Sequence, residues 1–244
     1  MERDAALEAV FMPVQPASTF EETVDRLGSA IRSGLLVPGS KLPPERELAR
    51  RLRISRSTLR QALTALVQSG HLVSQRGRTG GTFVAEQPPL TEQGDEPLDQ
   101  GAWAALDYRV AIETGAVVLA AERGSGQQFD RLEELVGKMG AELEDFGEYR
   151  RTDIRFHLAI AEAAHSPRLL SAMTDVQSQM SDLIALIAHP PEVLVSSNEQ
   201  HARLVKALRK GDAGAAVRQM REHTEATEHV LAGLLPAPLR LEAV

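Results

Sequence analysis

Four side chains in the second half of the chain have the chemistry of a metal site. Asp153 and His157 are four residues apart in a helical pattern, so both project from one face of their helix. His201 and His223 lie on two later predicted helices, and a helical bundle could bring all four side chains to one interior point. Because the chain contains no cysteine, a metal here would need nitrogen and oxygen ligands, which suit zinc, nickel, manganese or iron without choosing among them.

Spacing alone also allows simpler interpretations of these residues. An Asp and a His four residues apart are more often a surface pair, and a single histidine is more often an ordinary core or surface residue. We apply that simpler interpretation to the other histidines, which are His71, His165, His189 and His229.

A second set of polar side chains, nearer the N-terminus, suits contact with nucleic acid. Ser55 is a good N-cap for a helix with a stripe of leucines, which leaves Arg56 and Arg60 pointing outward from its first turns. Arg76 and Gly77 begin a basic, glycine-rich turn between two extended segments, where glycine lets the backbone approach a phosphate closely. A solvated helix face is the simpler explanation of the arginines, but the capped helix and the hairpin together favour DNA.

The charge of the chain is divided unevenly between these two parts. The net charge is −7. Thr19 to Ala85 contains eleven Lys and Arg against five Asp and Glu, a net of +6, whereas the chain from Glu86 onwards contains fifteen against twenty-six, a net of −11. Because attraction to phosphate is local to the binding surface, this asymmetry fits a DNA-binding head joined to a body that does not bind DNA.

The first part has the pattern of a winged helix-turn-helix. Thr19–Ser33 is expected to form an amphipathic helix, a short second helix to end near Arg53, and a third helix to follow Ser55. The pattern then becomes extended, with Leu72–Ser74 and Thr82–Val84 as the two strands of a hairpin. Three helices plus a β-hairpin wing are therefore expected.

The second part has the pattern of an all-α, antiparallel helical bundle, so the chain as a whole is expected to be mainly α. Apolar residues recur at spacings of three and four in six segments, with Gly, Pro or Ser-Pro between them. The segments are Trp103–Arg123, Gln127–Phe146, Glu148–Ala164, Pro167–Ile187, Glu192–Lys210 and Ala213–Leu235.

A stretch rich in Pro, Gly and acidic residues, which begins at Glu86, separates the two parts and is typical of a linker. The expected organisation is a flexible tail at 1–18, the winged helix-turn-helix at 19–85, the linker at 86–101, the helical domain at 102–236 and a tail at 237–244. Neither a membrane-spanning run nor a signal peptide is evident, so a cytoplasmic location is expected.

The first part closely resembles the DNA-binding domain of the GntR regulators, over Thr19–Val84. The matching motifs are Gly34-Leu-Leu-Val-Pro-Gly-Ser-Lys-Leu-Pro-Pro-Glu-Arg-Glu-Leu-Ala, Ile54-Ser-Arg-Ser-Thr-Leu-Arg-Gln-Ala-Leu and Gly81-Thr-Phe-Val. The resemblance implies operator contacts from Arg46, Ser55, Arg56, Ser57, Thr58, Arg60, Arg76 and Gly77. An arginine near the start of a recognition helix can reach guanine in the major groove, whereas hydroxyls and backbone amides mostly hold phosphates.

The second part resembles the ligand-sensing FCD domain of the FadR branch of the same family, from about Trp103 to Leu235. The matching motifs are Tyr108-Arg109-Val-Ala-Ile-Glu113, Asp153-Ile-Arg-Phe-His157, Glu199-Gln-His201 and Arg221-Glu-His223. The resemblance implies that the four candidate ligands hold a divalent metal, with zinc the first candidate, and that Arg109 binds the carboxylate of an effector. The alternative for Arg109 is an ion pair with Glu113 on the same helix.

Together the resemblances predict a transcription regulator, acting as a homodimer on double-stranded operator DNA, with repression as the default. Its operator affinity would be controlled by a small carboxylate metabolite at the metal. One rival class is a metal-dependent hydrolase with an accessory DNA-binding head, but the chain has no His-Glu-x-x-His motif, nucleophile elbow or phosphate loop. The other is a helical scaffold with no small ligand, which leaves the four candidate ligands unexplained.

Overall fold

A computed structural model describes residues 19–32, 35–77, 80–91, 100–234 and 237–238. The predicted tail at 1–18 lies outside the described residues, as do 92–99 of the predicted linker and 239–244 of the predicted C-terminal tail. The described chain divides into two compact units. The first contains the described parts of Met1–Asp99 and Glu228–Val244 together with Leu186–Glu192, and the second contains Gln100–Ala185 and Val193–Thr227.

The first unit contains a small domain of three helices and a hairpin. Its elements are α1 (Thr19–Arg32), α2 (Glu45–Leu52), α3 (Arg56–Gln68), β1 (Leu72–Gln75) and β2 (Gly81–Val84). Each helix contributes fully buried leucines to one core, among them Leu27, Leu48 and Leu59. Burial of this apolar stripe is what holds three short helices together, because such helices are marginal in isolation. The expected winged helix-turn-helix is confirmed.

A tight turn joins α2 to α3. Arg53 ends α2 in the left-handed region, with a φ of 56°, and its N–H donates to the carbonyl of Ala49. Ser55 then begins α3 as predicted, because its hydroxyl oxygen accepts a hydrogen bond of 3.0 Å from the N–H of Thr58. The first turn of α3 is left largely exposed to solvent.

The hairpin forms the predicted wing. β1 and β2 pair antiparallel, with Leu72 opposite Val84. The ammonium of Lys41 donates a hydrogen bond of 2.6 Å to the carbonyl of Gly80, which lies between the two strands. This bond ties one end of the turn to the segment before α2.

Six helices follow. They are α4 (Gln100–Arg123), α5 (Gly126–Ala141), α6 (Phe146–Ala163), α7 (Pro167–Ile184), α8 (Pro191–Arg209) and α9 (Ala213–Leu234). Their bounds agree with the six predicted segments to within a few residues, except that the segment predicted as one helix over Gln127–Phe146 ends at Ala141. The reason is a new helix start: the carboxylate of Asp145 accepts a hydrogen bond of 3.1 Å from the N–H of Glu148 and caps α6.

The core of the second unit lies between these helices. Leu132 of α5, Phe156 of α6 and Met173 of α7 are fully buried. The ring of Phe156 is 4.5 Å, centroid to centroid, from the ring of His201 on α8. The apolar core therefore continues directly into a group of polar side chains.

The C-terminal end of α9 belongs to the first unit, where it lies against α1. Nδ1 of His229 is 2.9 Å from Oδ2 of Asp25, and the backbones touch where Gly28 meets Gly233. In the same unit, β3 (Leu90–Thr91) pairs in parallel with β4 (Ala237–Pro238). Among the described residues, none of the helices combines the length and the apolar character that a bilayer span requires.

Candidate functional site

Three imidazoles meet in the interior of the second unit. His157 lies on α6, His201 on α8 and His223 on α9, and all three are buried. One ring nitrogen from each lies within 4.8 Å of the others. Nε2 of His201 and Nε2 of His223 are only 3.3 Å apart. We call these three side chains the imidazole cluster.

Asp153 lies beside the imidazole cluster. It is one turn before His157 on α6, and its Oδ1 is 3.7 Å from Nε2 of His157 and 3.5 Å from Nε2 of His201. Its other carboxylate oxygen accepts a hydrogen bond from Arg150. The fold therefore brings together the four side chains that the sequence proposes as metal ligands, although they come from three different helices.

These separations suit a divalent ion. Metal–ligand bonds of about 2.0–2.1 Å place neighbouring ligand atoms roughly 2.8–3.4 Å apart when the angles lie between octahedral and tetrahedral values. The separations of 3.3, 3.5 and 3.7 Å are close to that range, so small side-chain adjustments would suffice. The residues present fit a metal, and three imidazoles with one carboxylate are a donor set for zinc, nickel, manganese or iron.

Burial keeps the imidazoles neutral. Removal from water lowers the pKa of His157, lowers that of His201 to about 3, and lowers that of His223 well below its ordinary value. Burial opposes ionisation of Asp153, but the neighbouring His157 and Arg150 hold its pKa at about 2. A neutral imidazole and an ionised carboxylate are the forms in which these side chains bind metals.

Gln200 fixes the orientation of one imidazole. Its Oε1 lies 2.9 Å from Nδ1 of His223. Because an amide oxygen only accepts, Nδ1 carries the proton and Nε2 presents its lone pair to the imidazole cluster. Gln200 is itself buried on α8, next to His201. A hydrogen-bonding partner behind a ligand is a regular feature of histidine metal sites.

Arg109 and Glu113 of α4 lie against the imidazole cluster. Nε of Arg109 is 3.2 Å from Oε1 of Glu113, so the ion pair that the sequence offered as an alternative is present. The same guanidinium also reaches the cluster, with Nη2 at 2.9 Å from Nε2 of His223. Glu113 in turn accepts a hydrogen bond of 3.0 Å from Nε2 of Gln177 and approaches Nδ1 of His157 at 3.3 Å.

Sequence reasoning missed three polar residues around the imidazole cluster, which are Arg150, Gln177 and Gln200. Arg150 donates a hydrogen bond to Asp153. It also donates two hydrogen bonds of 3.1 Å, one to the carbonyl of Gln177 and one to the hydroxyl of Ser181. A local signal existed for Arg150, three residues before a candidate ligand, and for Gln200, adjacent to one. None existed for Gln177, whose place depends on how α7 packs against α4.

The residues predicted to contact operator DNA lie in the first unit, on α2, at the start of α3 and where the wing turn begins. They are Arg46, Ser55, Arg56, Ser57, Thr58, Arg60, Arg76 and Gly77. All are exposed except Thr58, which is half-buried. Gly77 has a φ of +113°, a conformation that other residues rarely adopt. Exposure suits a DNA-binding surface, and the individual contacts remain predictions.

Two sets of internal contacts order this surface. Oγ of Ser55 lies 2.6 Å from Oγ of Ser57 and 2.8 Å from Oγ1 of Thr58, so three hydroxyls are gathered at the start of α3. Farther along α3, Nη2 of Arg60 donates a hydrogen bond of 2.9 Å to Glu45 of α2. An exposed ion pair of this kind is worth only about 0–1 kcal/mol, so Arg60 can exchange it for another partner.

Comparison with protein families identifies both parts of the chain. Residues 19–84 match the model of bacterial regulatory proteins, gntR family, and residues 104–226 match the FCD domain. The chain belongs to the GntR family. As a GntR regulator with a C-terminal FCD domain, it is a transcription regulator with a DNA-binding helix-turn-helix, and its FCD domain contains a group of three histidines that could hold a metal.

Two sequence relatives agree with this assignment. The "Putative L-lactate dehydrogenase operon regulatory protein" of Escherichia coli (strain K12) is 34% identical over 227 residues, which cover 87% of this chain and 86% of the relative. The HTH-type transcriptional regulator LutR of Bacillus subtilis (strain 168) is 29% identical, over 83% of this chain and 96% of the relative. The solved structure of E. coli McbR/YncC is 24% identical over 87% of this chain and 96% of that chain, with a TM-score of 0.49. The sequence relatives are transcription regulators and not hydrolases.

Proposed function

We propose that this GntR regulator senses a small carboxylate metabolite through a divalent metal held by the four candidate ligands Asp153, His157, His201 and His223. Zinc is the first candidate, with nickel, manganese or iron as alternatives. Binding of the metabolite changes the affinity for operator DNA, with repression as the default outcome. The regulator acts as a homodimer on double-stranded operator DNA. Its place of action is the cytoplasm.

The observation that carries this proposal is that three neutral imidazoles and an ionised carboxylate lie close together in the buried interior of the second unit. Burial of polar groups is costly unless each finds a partner, and a divalent ion is a partner that all four can share. The lone pair of Nε2 of His223 points into this group, because Nδ1 of the same ring is engaged by Gln200 at 2.9 Å. A purely structural role would not need several nitrogen and oxygen atoms to approach one point.

A small carboxylate fits the positions that the protein ligands leave open. A metal with four protein ligands can accept further donors if it is more than four-coordinate, and a carboxylate oxygen is a suitable one. Arg109 offers a planar guanidinium that can bind a carboxylate through two parallel hydrogen bonds. The E. coli relative is named for an L-lactate dehydrogenase operon, which makes L-lactate the first compound to test.

The metal part of the proposal is tested by elemental analysis of purified protein. We expect one divalent ion per chain in the wild type and loss of that ion in His201→Ala and His223→Ala. The matched control is His165→Asn, which changes an exposed histidine with a φ of 51° that asparagine also tolerates. Stoichiometric metal in either alanine variant would contradict the proposed ligand set.

The sensing part is tested by fluorescence anisotropy with DNA that the protein selects from a randomised pool. We expect L-lactate to change the DNA affinity of the wild type and of His165→Asn, and to have no effect on His201→Ala or His223→Ala. An equal effect of L-lactate on the DNA affinity of all four proteins would show that the metal site does not control DNA binding. That result would refute the proposal.

A further inference from the structure

Arg109 and a metal compete for the same lone pair of His223. Nη2 of Arg109 lies 2.9 Å from Nε2 of His223, and because a guanidinium only donates, Nε2 is the acceptor. Nδ1 of the same ring faces Oε1 of Gln200 at 2.9 Å and carries the proton. Nε2 therefore has one lone pair, which can accept from Arg109 or bind a metal, but cannot do both.

The charges around the imidazole cluster are already balanced without a metal. Arg109 pairs with Glu113 and Arg150 pairs with Asp153, and none of these side chains is more than 12% exposed. A divalent ion adds two positive charges to this buried group, and uncompensated buried charge is strongly unfavourable. An anion that enters with the metal would restore part of the balance.

An anion can also replace His223 as the acceptor for Arg109. A carboxylate oxygen accepts from a guanidinium more strongly than a neutral imidazole does, because both partners are charged. Nη1 of Arg109 is buried and has no hydrogen-bond partner among the described residues, so the guanidinium has a second donor available for the same carboxylate. A carboxylate bound in this way frees Nε2 of His223 for the metal.

We infer that Arg109 couples the two ligands of the sensor, opposing the metal in the absence of an anion and favouring it when a small carboxylate is bound. The inference rests on the proposed function and adds to it that each ligand binds more weakly in the absence of the other. By thermodynamic linkage, the carboxylate and the metal raise each other's affinity by the same factor, for which about 5- to 150-fold is typical.

The experiment measures the Kd of Zn²⁺ for chelator-treated protein, in sodium chloride and in sodium L-lactate of equal ionic strength. We expect L-lactate to tighten Zn²⁺ binding to the wild type by a factor in the range of about 5 to 150. In Arg109→Met, we expect tighter Zn²⁺ binding than in the wild type in chloride, and no effect of L-lactate. The matched control is Arg151→Met, which removes an exposed arginine of α6 that pairs with Glu148 and should keep the L-lactate effect.

A merely structural arginine would give a different pattern. Arg109→Met would then bind Zn²⁺ more weakly by the same factor in both solutions, and that result, or an L-lactate effect that persists in this variant, would overturn the inference. The comparison of the two proteins in chloride needs no L-lactate, so Zn²⁺ binding in Arg109→Met that is no tighter than in the wild type overturns the inference even if L-lactate does not bind. If Arg109→Met does not fold, Arg109→Lys is the second variant, because an ammonium cannot hold a carboxylate through two parallel hydrogen bonds and the L-lactate effect should therefore be smaller than in the wild type.

Failure of the inference and failure of the proposed function are distinguishable. A wild-type protein that binds no Zn²⁺ in either solution refutes both. A wild-type protein in which L-lactate tightens Zn²⁺ binding, with the same effect in Arg109→Met, leaves the proposed function standing and refutes only the coupling by Arg109.

Discussion

At the scale of single residues, the imidazole cluster is flanked by polar side chains that contact its rings at Nδ1. Gln200 holds the proton of His223 on Nδ1, and Glu113 approaches Nδ1 of His157 at 3.3 Å. The hydrogen bond to Gln200 holds the ring of His223 so that its Nε2 faces the cluster. This ligand atom is therefore oriented before any ion arrives, which reduces the entropy lost when one binds.

Gln200→Leu should weaken metal binding without removing a ligand. Loss of the hydrogen bond to Nδ1 lets the ring of His223 rotate and lowers its basicity, and changes of this kind cost about 10–100-fold in metal affinity. Zn²⁺ titration against a competing chelator measures the effect. Gln219→Leu is the matched control, because Gln219 lies on α9 one turn before His223 and bonds the exposed Arg203 instead. Equal Zn²⁺ affinity in Gln200→Leu and wild type would show that Gln200 has no such role.

On the DNA-binding surface, Arg60→Ala and Arg56→Ala should each weaken operator binding by about 1–3 kcal/mol, since that is the range for an arginine that contacts a base. Arg60 gives up only an exposed ion pair with Glu45 to make such a contact. Anisotropy with the selected DNA provides the measurement. Arg131→Ala, which removes an exposed arginine of the second unit that is paired with Glu162, serves as the control. Unchanged affinity in both α3 variants would remove these residues from the predicted contact set.

The four candidate ligands could be found from the sequence, whereas most of their neighbours could not. They are one Asp and three His residues, which are types that bind metals. The resemblance to the FCD domain covers all four positions. Gln177 has no such signature, because a glutamine reaches Glu113 only after α7 and α4 have packed. The contact of Arg109 with His223 joins positions 114 residues apart, so no local pattern predicts it.

At the scale of helices, the two glycines where α1 meets α9 show what the sequence patterns leave out. A methyl group added at Gly28 would lie 1.8 Å from the carbonyl oxygen of Gly233, and one added at Gly233 would lie 2.6 Å from the backbone of Asp25. From the sequence of either helix alone, each glycine would be expected only to lower the stability of its helix slightly. Caps and breakers predicted the helix ends because those signals are local, but this crossing depends on two helices about 200 residues apart.

Gly28→Ala and Gly233→Ala should therefore destabilise the first unit. In an ordinary helix interior, glycine to alanine stabilises by about 0.5–1 kcal/mol, but overpacking against backbone costs roughly 1–3 kcal/mol. The test is therefore whether the substitution lowers or raises the stability of the protein, which differential scanning calorimetry measures. Gly115→Ala and Gly137→Ala are the controls, because an added methyl group at either position meets no atom within 4 Å. Stabilisation in all four variants would contradict the close crossing of α1 and α9.

The ion pair at the same crossing should make the first unit sensitive to pH. The hydrogen bond to Asp25 raises the pKa of His229 above its ordinary value. A raised folded-state pKa gives stability that is fully present below the unfolded value, about 6.5, and that is lost as pH rises through the folded value. We expect the unfolding temperature of the first unit to fall across that window, and the fall to be smaller in Asp25→Asn. The same pH dependence in both proteins would mean that another group is responsible.

At the scale of the whole molecule, charge is divided between the part of the chain with the predicted DNA contacts and the part with the imidazole cluster. Residues 19–85 have a net charge of +6, and the chain from Glu86 onwards has a net charge of −11. The predicted DNA contacts are exposed, where dissolved ions screen charges efficiently, while the imidazole cluster is buried. Salt should therefore act very differently on the two kinds of binding.

Operator affinity should fall steeply with salt, whereas Zn²⁺ affinity should change little. Each phosphate that a Lys or Arg neutralises releases counterions, so a regulator with about 6–10 phosphate contacts loses roughly 10³–10⁵ in affinity between 50 and 200 mM salt. A buried ion held by three imidazoles and a carboxylate releases no such counterions, and its interactions are screened much less. Titrations of DNA and of Zn²⁺ over the same salt series, with a common anion, compare the two slopes directly. Parallel slopes would place the metal in a solvent-exposed environment, and a flat slope for DNA would mean that the basic first unit does not bind through phosphates.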